Sequence, residues 1–308
     1  MKFGCCIFSY QWETFPYGPK PGFVLEEVTR KVRQLGFSGV ALLSSSSLEG
    51  VDEAFRGKRL REFKELLDSL GLEVAEFIAW NYRLLDKRKE VRGANLEHFR
   101  QCAQVAAELG TKVLNTPSHV PMPWDQPITK LFQLWRGSVF KVDVPSDFNW
   151  NKLWEDYVEV IGRCVDIASN NGLLYAMEGH PFCMISNTDA MLRLIDAVGS
   201  NSLGACYDSC HIVQVGEIPA VSVYKLGDRI FHCHISDNEG AIDSPPHATP
   251  GRGRIDWRAL LRALKNVGYN GFLSIELIDM PSEMLDEEHV RAITFLREMA
   301  KKEGFEIE

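Results

Sequence analysis

Four apolar runs in the second half of the chain each close on a residue that can hold a metal ion or move a proton. They are LLYAM before Glu178, LGACY before Asp208, IFHC before His234 and FLSI before Glu276. One polar residue at a strand end has a plain structural explanation, because strand ends meet solvent or cap the next helix. Three carboxylates and an imidazole in four consecutive units have a shared one: an oxygen-rich ligand set converging on one hard divalent cation. Such a set suits Mn²⁺, which is favoured here, or Mg²⁺. It also admits Co²⁺ or Zn²⁺, since no thiolate belongs to it.

Short buried runs of this kind read as parallel strands covered on both faces. The rest of the chain repeats the pattern. Strands are expected at 3–7, 39–43, 72–79 and 112–115, followed by the four runs above. Helices are expected at 23–35, 55–70, 92–109, 150–171, 188–198, 256–267 and 285–302, with a shorter irregular helical segment at 219–226. Glycines 36, 71, 110 and 172 stand just after helices, where a left-handed cap is needed. Eight strand-helix units match an α/β fold of one kind, a single (β/α)8 TIM barrel spanning residues 1–308 as one domain. An open doubly wound sheet would carry a glycine-rich phosphate turn after its first strand, and IFSYQWETF has none. In a barrel the reactive groups gather at the C-terminal ends of the strands, which is where Glu178, Asp208, His234 and Glu276 fall.

Other residues are weighed against that frame. His180 stands two residues beyond Glu178, so it is expected at the barrel mouth in contact with substrate or a ligand, the alternative being a loop histidine. His247, before PGRG, either points back into the site or stabilises its turn. His119 follows the fourth strand and is a candidate substrate contact. His232 alternates with His234 and is expected on the opposite side of the barrel wall. His98 and His289 lie on helices and are expected to be solvated. Arg252 and Arg254 are candidates to hold a phosphate or carboxylate, against the alternative of a solvated loop. The long segment 117–149 after strand four carries Trp124, Phe132, Trp135, Phe140 and Phe148 among several prolines. It is expected to form a lid over the mouth, a packed loop or a subunit contact, and the aromatic face of Trp124 suits the C–H faces of a sugar.

Composition bounds the rest. Net charge is -8 and the pI is near 5.6, which disfavours a protein that grips nucleic acid through phosphate neutralisation. No stretch approaches the roughly 20 apolar residues of a membrane span, and MKFGCCIFSY is too short an apolar start for a signal peptide. The expectation is a soluble cytoplasmic protein with no membrane partner. Its 8 cysteines lack CxxC pairs and read as reduced core thiols.

The residues resemble the xylose isomerase-like barrels, a family that includes sugar isomerases and epimerases, inosose dehydratases and endonuclease IV. Three segments carry the resemblance: MEGHP at 177–181, YDSCH at 207–211, and HISDNEG through PGRGRIDW from His234 to Trp257. The resemblance implies that Glu178, Asp208, His234 and Glu276 bind one divalent metal, often manganese, and that His211 touches substrate or a second metal. Departures narrow the function. The third strand ends in FIAWN, and Thr116 stands about where the nuclease has a histidine. Pro245 replaces the aspartate two residues before His247. The three-metal cluster of endonuclease IV is thereby dismantled, and nuclease activity is disfavoured. ISDNEG replaces the Gly-Glu and arginine that ketohexose 3-epimerases carry after the strand-seven histidine, which disfavours dedicated ketohexose epimerisation.

The expected function is a divalent-metal-dependent isomerase or epimerase of a small keto-sugar, polyol or sugar phosphate. Glu178 and Glu276 would move the proton through a metal-stabilised enediolate. Loss of a β-hydroxyl from the same intermediate would make it an inosose dehydratase-like lyase. A non-catalytic sugar-binding barrel is the alternative of a different class. A homo-oligomer is compatible with either.

Overall fold

The computed structural model describes residues 1–11, 22–45, 51–81, 83–121, 144–240, 247–278 and 280–306. Trp124, Phe132, Trp135 and Phe140 lie outside the described residues, so the sequence expectations for them are not addressed by the structure.

Eight parallel strands close in sequence order, with β8 returning to β1. They are β1 (Lys2–Cys6), β2 (Gly39–Ser45), β3 (Glu73–Trp80), β4 (Val113–Pro117), β5 (Leu174–Glu178), β6 (Leu203–Asp208), β7 (Ile230–Ile235) and β8 (Phe272–Ile275). Among the described residues the α-helices are α1 (Phe8–Gln11), α2 (Leu25–Gln34), α3 (Gly57–Leu70), α4 (Lys89–Leu109), α5 (Trp150–Asn170), α6 (Thr188–Val198), α7 (Ser209–Gln214), α8 (Pro219–Leu226), α9 (Trp257–Asn266) and α10 (Leu285–Lys302). The fold is a single (β/α)8 TIM barrel. Three elements differ from expectation, the first being the short helix α1 directly after β1. The segment at 219–226 is a regular helix begun by Pro219, whose fixed φ suits the first helical turn. A separate short helix, α7, follows β6 directly.

Strand alternation divides the interior into two environments. Outward-facing Phe77, Leu114, Tyr175, Tyr207, Cys233 and Leu273 pack in one continuous cluster with Phe63, Phe99, Ile161, Leu194, Leu260 and Leu296 of the surrounding helices. The barrel axis holds a smaller apolar group, Cys6, Ala41, Leu43, Ile78 and Trp80, beside a polar one containing Glu76, Asn115, His232, His234 and Ser274, all buried. All eight cysteines are free and buried. No helix among the described residues is long and apolar enough to cross a membrane.

Three histidine expectations are corrected. His98 and His289 are not solvated; both are fully buried. His98 shares an inward stripe of α4 with Asn95, Phe99 and Cys102, and His289 shares one of α10 with Leu285, Ala292, Ile293 and Leu296. Both stripes follow the three-and-four spacing of a packed helix face. His232 faces the barrel axis together with His234, because residues two apart on a strand point the same way. Its Nε2 lies 2.9 Å from Ser274 Oγ and 3.3 Å from Glu76 Oε1.

Candidate metal centre

The pairing register explains why four distant residues meet. Asp208 stands beside His234, His234 beside Ser274, and Glu178 beside Cys206. The inward positions are therefore 176 and 178, 206 and 208, 232 and 234, and 274 and 276. Each candidate ligand occupies the last inward position of its strand or the residue just past it. One ligand atom from each of Glu178, Asp208, His234 and Glu276 falls in a group whose members all lie within 4.8 Å of one another, and all four residues are buried.

Each side chain has a definite orientation. Asp208 caps α7, its Oδ1 accepting from His211 N–H at 2.8 Å, while Oδ2 has no hydrogen-bond partner among the described residues. Glu276 Oε2 also lacks a hydrogen bond, although it lies 3.0 Å from His234 Nδ1. His234 Nδ1 pairs with Glu178 Oε1 at 2.8 Å, and its Nε2 pairs with Glu76 Oε1. A buried carboxylate oxygen without a donor is costly, of the order of several kcal/mol. Two such oxygens facing one point, in a set of three carboxylates and an imidazole, fit a hard divalent cation.

The charges are arranged accordingly. Burial opposes ionisation of Glu178, but the His234 and His180 imidazoles outweigh it and hold the carboxyl well below its usual range. Burial likewise opposes charge on Asp208, and His211 and His247 reverse it, so its pKa is lowered. Burial wins at Glu276, whose pKa is raised despite His247 and His234. Burial works against a proton on His234, yet Glu76 and Glu178 hold it well above the normal range. His247 is pushed up to about 9 against its burial, by Glu276 and Asp208. The two flanking glutamates are driven apart in acidity, a pattern that suits one proton acceptor and one proton donor.

The histidines expected at the mouth divide. His180 Nε2 lies 3.3 Å from Glu178 Oε2, and its ring stands 4.2 Å from that of His211. His211 Nδ1 pairs with Gln214 Oε1 at 2.9 Å, and burial lowers this imidazole to about 4. His247 Nε2 lies 3.6 Å from Asp208 Oδ2 and 3.8 Å from Glu276 Oε1. These three therefore belong to the cluster's surroundings. His119 is buried, but its ring meets Tyr157 edge-on at 5.7 Å and its carbonyl accepts from Met184 N–H, so the structure does not bring it against the ligand group. Arg252 Nη2 donates to Glu288 Oε1 at 2.6 Å, so the guanidinium ties the loop to the buried carboxylate of α10. Thr116 bonds the Tyr175 hydroxyl at 2.6 Å, on the outward face of β4.

Two features were missed in the sequence. The first is Glu76, fully buried on β3 against His234; the sequence shows it only as a second charge beside Glu73 in LEVAEFIA, with nothing to say which way it faces. The second is Asp237, which builds the loop that carries His247. Its carboxylate accepts from the backbone N–H of Asn238, Gly251 and Ile255 and from Trp257 Nε1, and its backbone pairs with Ala248. Gly253 is required because a Cβ there would stand 2.2 Å from Asp237 Oδ1. The PGRGRIDW segment is thus a clamp closed on one carboxylate. Asp237→Ala is expected to strand several buried donors and cost about 3 kcal/mol or more. Thermal melts check this, and a midpoint lowered by less than about 1 °C would contradict it.

The fold and this constellation define a class before they define a chemistry. A model of the family described as "Xylose isomerase-like TIM barrel" matches residues 29–299, and the chain belongs to that family. Among curated relatives, the inosose isomerase of Bacillus velezensis is 34% identical over 125 residues, 39% of this chain and 45% of that protein. The fructoselysine 3-epimerase of Escherichia coli O157:H7 is 31% identical over 134 residues, 42% of this chain and 48% of that protein. Both matches therefore span less than half of the relative. Among solved structures, that of the IOLI protein with a binding zinc atom superposes with a TM-score of 0.73 at 19% identity, covering 98% of this chain and 99% of that one. At that identity the likeness shows the fold alone.

Proposed function

We propose that the protein is a divalent-metal-dependent isomerase or epimerase of a small keto-sugar, polyol or sugar phosphate. The observation that carries the reading is the convergence of Glu178, Asp208, His234 and Glu276 on one buried point, with two buried carboxylate oxygens, Asp208 Oδ2 and Glu276 Oε2, that accept no hydrogen bond among the described residues. The relatives named inosose isomerase and fructoselysine 3-epimerase support the reaction class, and the zinc of a structural neighbour supports a divalent cation. Manganese, magnesium, cobalt and zinc all suit the donor set.

When bound, the cation would supply Lewis-acid stabilisation of adjacent carbonyl and hydroxyl oxygens and of the enediolate derived from them. Glu178 and Glu276 do the proton work. One removes the proton from the hydroxyl-bearing carbon next to the carbonyl and the other returns one. Return to the opposite face of the same carbon gives an epimer, and return to the neighbouring carbon, with a proton passed from the original hydroxyl oxygen to the original carbonyl oxygen, gives an aldose-ketose isomer. His180, His211 and His247 stand close enough to this group to orient hydroxyls.

The test begins with metal content, measured by mass spectrometry on protein purified without chelator or affinity metal. About one equivalent of divalent metal per chain is expected for a mononuclear site. Asp208→Asn should weaken metal binding about tenfold or more while the fold survives, because asparagine caps a helix as well as aspartate does. Full occupancy in that variant would remove Asp208 from the ligand set, and no metal even after reconstitution would end the reading. Keto-sugars and inososes are then screened for solvent deuterium uptake, with dehydration products followed in the same spectra.

A further inference from the structure

The imidazole of His234 has two faces. Nδ1 is turned to Glu178 Oε1 at 2.8 Å and to Glu276 Oε2 at 3.0 Å, on the side where the four candidate ligands converge. Nε2 is turned the other way, to Glu76 Oε1 on β3. A neutral imidazole carries its proton on one nitrogen and a lone pair on the other, so whatever holds the proton decides which nitrogen can bind a metal. Glu76 is well built for that task. It is fully buried, its Oε2 accepts from Asn115 Nδ2–H at 3.0 Å, and a carboxylate can only accept. Beside it, His232 Nε2 lies 3.3 Å from the same Oε1 and 2.9 Å from Ser274 Oγ.

We infer that Glu76 is a positioning residue of the metal centre: it holds the Nε2 proton of His234 and so directs the Nδ1 lone pair at the cation. This rests on the metal-site reading above and adds to it a residue from the opposite half of the barrel, together with the nitrogen that binds. The competing geometry also exists in the molecule. Cys6, Glu76 and His234 offer ligand atoms within 4.8 Å of one another on the Nε2 side. There, however, Glu76 Oε2 is already engaged by Asn115, whereas on the Nδ1 side Asp208 Oδ2 and Glu276 Oε2 have no hydrogen bond.

The experiment uses the full chain loaded with zinc and labelled with ¹⁵N in histidine. Long-range proton-nitrogen correlations are expected to show His234 protonated at Nε2 and metal-bound at Nδ1; zinc on Nε2 would overturn the proposal. Zinc binding is then measured by competition with a chelator. Glu76→Leu removes the acceptor and should weaken binding about 10- to 100-fold. Glu76→Gln keeps a carbonyl acceptor for the Nε2 proton, and Asn115 can turn its own carbonyl to the new amide, so this variant should recover most of the loss. Affinity in Glu76→Leu within about threefold of the native protein would also overturn it. If Glu76→Leu does not fold, the nitrogen assignment in the native protein decides alone. Failure of the native protein to take up any zinc or manganese would instead strike the parent reading, a result distinct from zinc bound at the wrong nitrogen.

Discussion

Glu276→Gln should abolish proton exchange at the substrate carbon, lowering turnover by about 10³-fold or more at saturating metal. General acid-base catalysis by a positioned carboxylate contributes about 10²- to 10⁴-fold, and weakened ligation adds to the loss. The geometry singles out this residue. Its two oxygens stand 3.0 Å from His234 Nδ1 and 3.8 Å from His247 Nε2, inside the group where the candidate ligands converge. The amide preserves shape and one acceptor oxygen but cannot accept a proton at neutral pH. Exchange is read by loss of the substrate C–H signal in deuterated water, with metal content checked in the same sample. The result also separates an enzyme from a sugar-binding barrel, which would keep its affinity and have no exchange to lose. An exchange rate within threefold of the native protein would mean that the proton moves through another group.

Acid should destabilise the protein well before its carboxylates titrate. His98 and His289 are fully buried away from the candidate metal centre, and burial pushes each down to about 4. In the unfolded chain a histidine titrates near 6.5. The unfolded state therefore binds more protons between pH 6.5 and 4, and folding stability falls as pH drops through that window. Each group contributes a slope of up to about 1.4 kcal/mol per pH unit, so the pair removes several kcal/mol by pH 4, a large part of an ordinary total stability of about 5–15 kcal/mol. His247, held up to about 9, is protonated in the folded state throughout this window and becomes fully so in the unfolded state as the pH drops below 6.5, so its stabilisation levels off there and does not grow to match the loss. Denaturant midpoints should rise as the pH falls from about 9 to 6.5, where the folded state alone protonates His247 and His234, and decline below it. The decline should be shallower in His98→Leu and His289→Leu, which remove the groups that charge. A midpoint unchanged from pH 6.5 to 4.5 would show that these imidazoles are not held neutral by the fold.

The sequence by itself determined the barrel and the positions of its strand ends. Apolar runs of strand length, amphipathic helices and glycines at helix ends are local features, each legible within about a dozen residues. The convergence of Glu178, Asp208, His234 and Glu276 could be anticipated for the same reason, since equivalent ends of neighbouring parallel strands must come together once the sheet closes. What each side chain touches was decided only by the tertiary structure. Glu76 meets His234 across 158 residues of sequence, and nothing near LEVAEFIA marks that glutamate as inward rather than outward. Arg252 is recruited by Glu288, 36 residues away, against a charge that the sequence places on a helix without showing its face. His98 and His289 follow the apolar stripes of their helices into the core, where packing outweighs the cost of burying a neutral imidazole. Local pattern sets the elements because backbone hydrogen bonding and solvent exposure repeat over a few residues. Side-chain partnerships depend on register and closure, and those exist only when all eight strands are assembled.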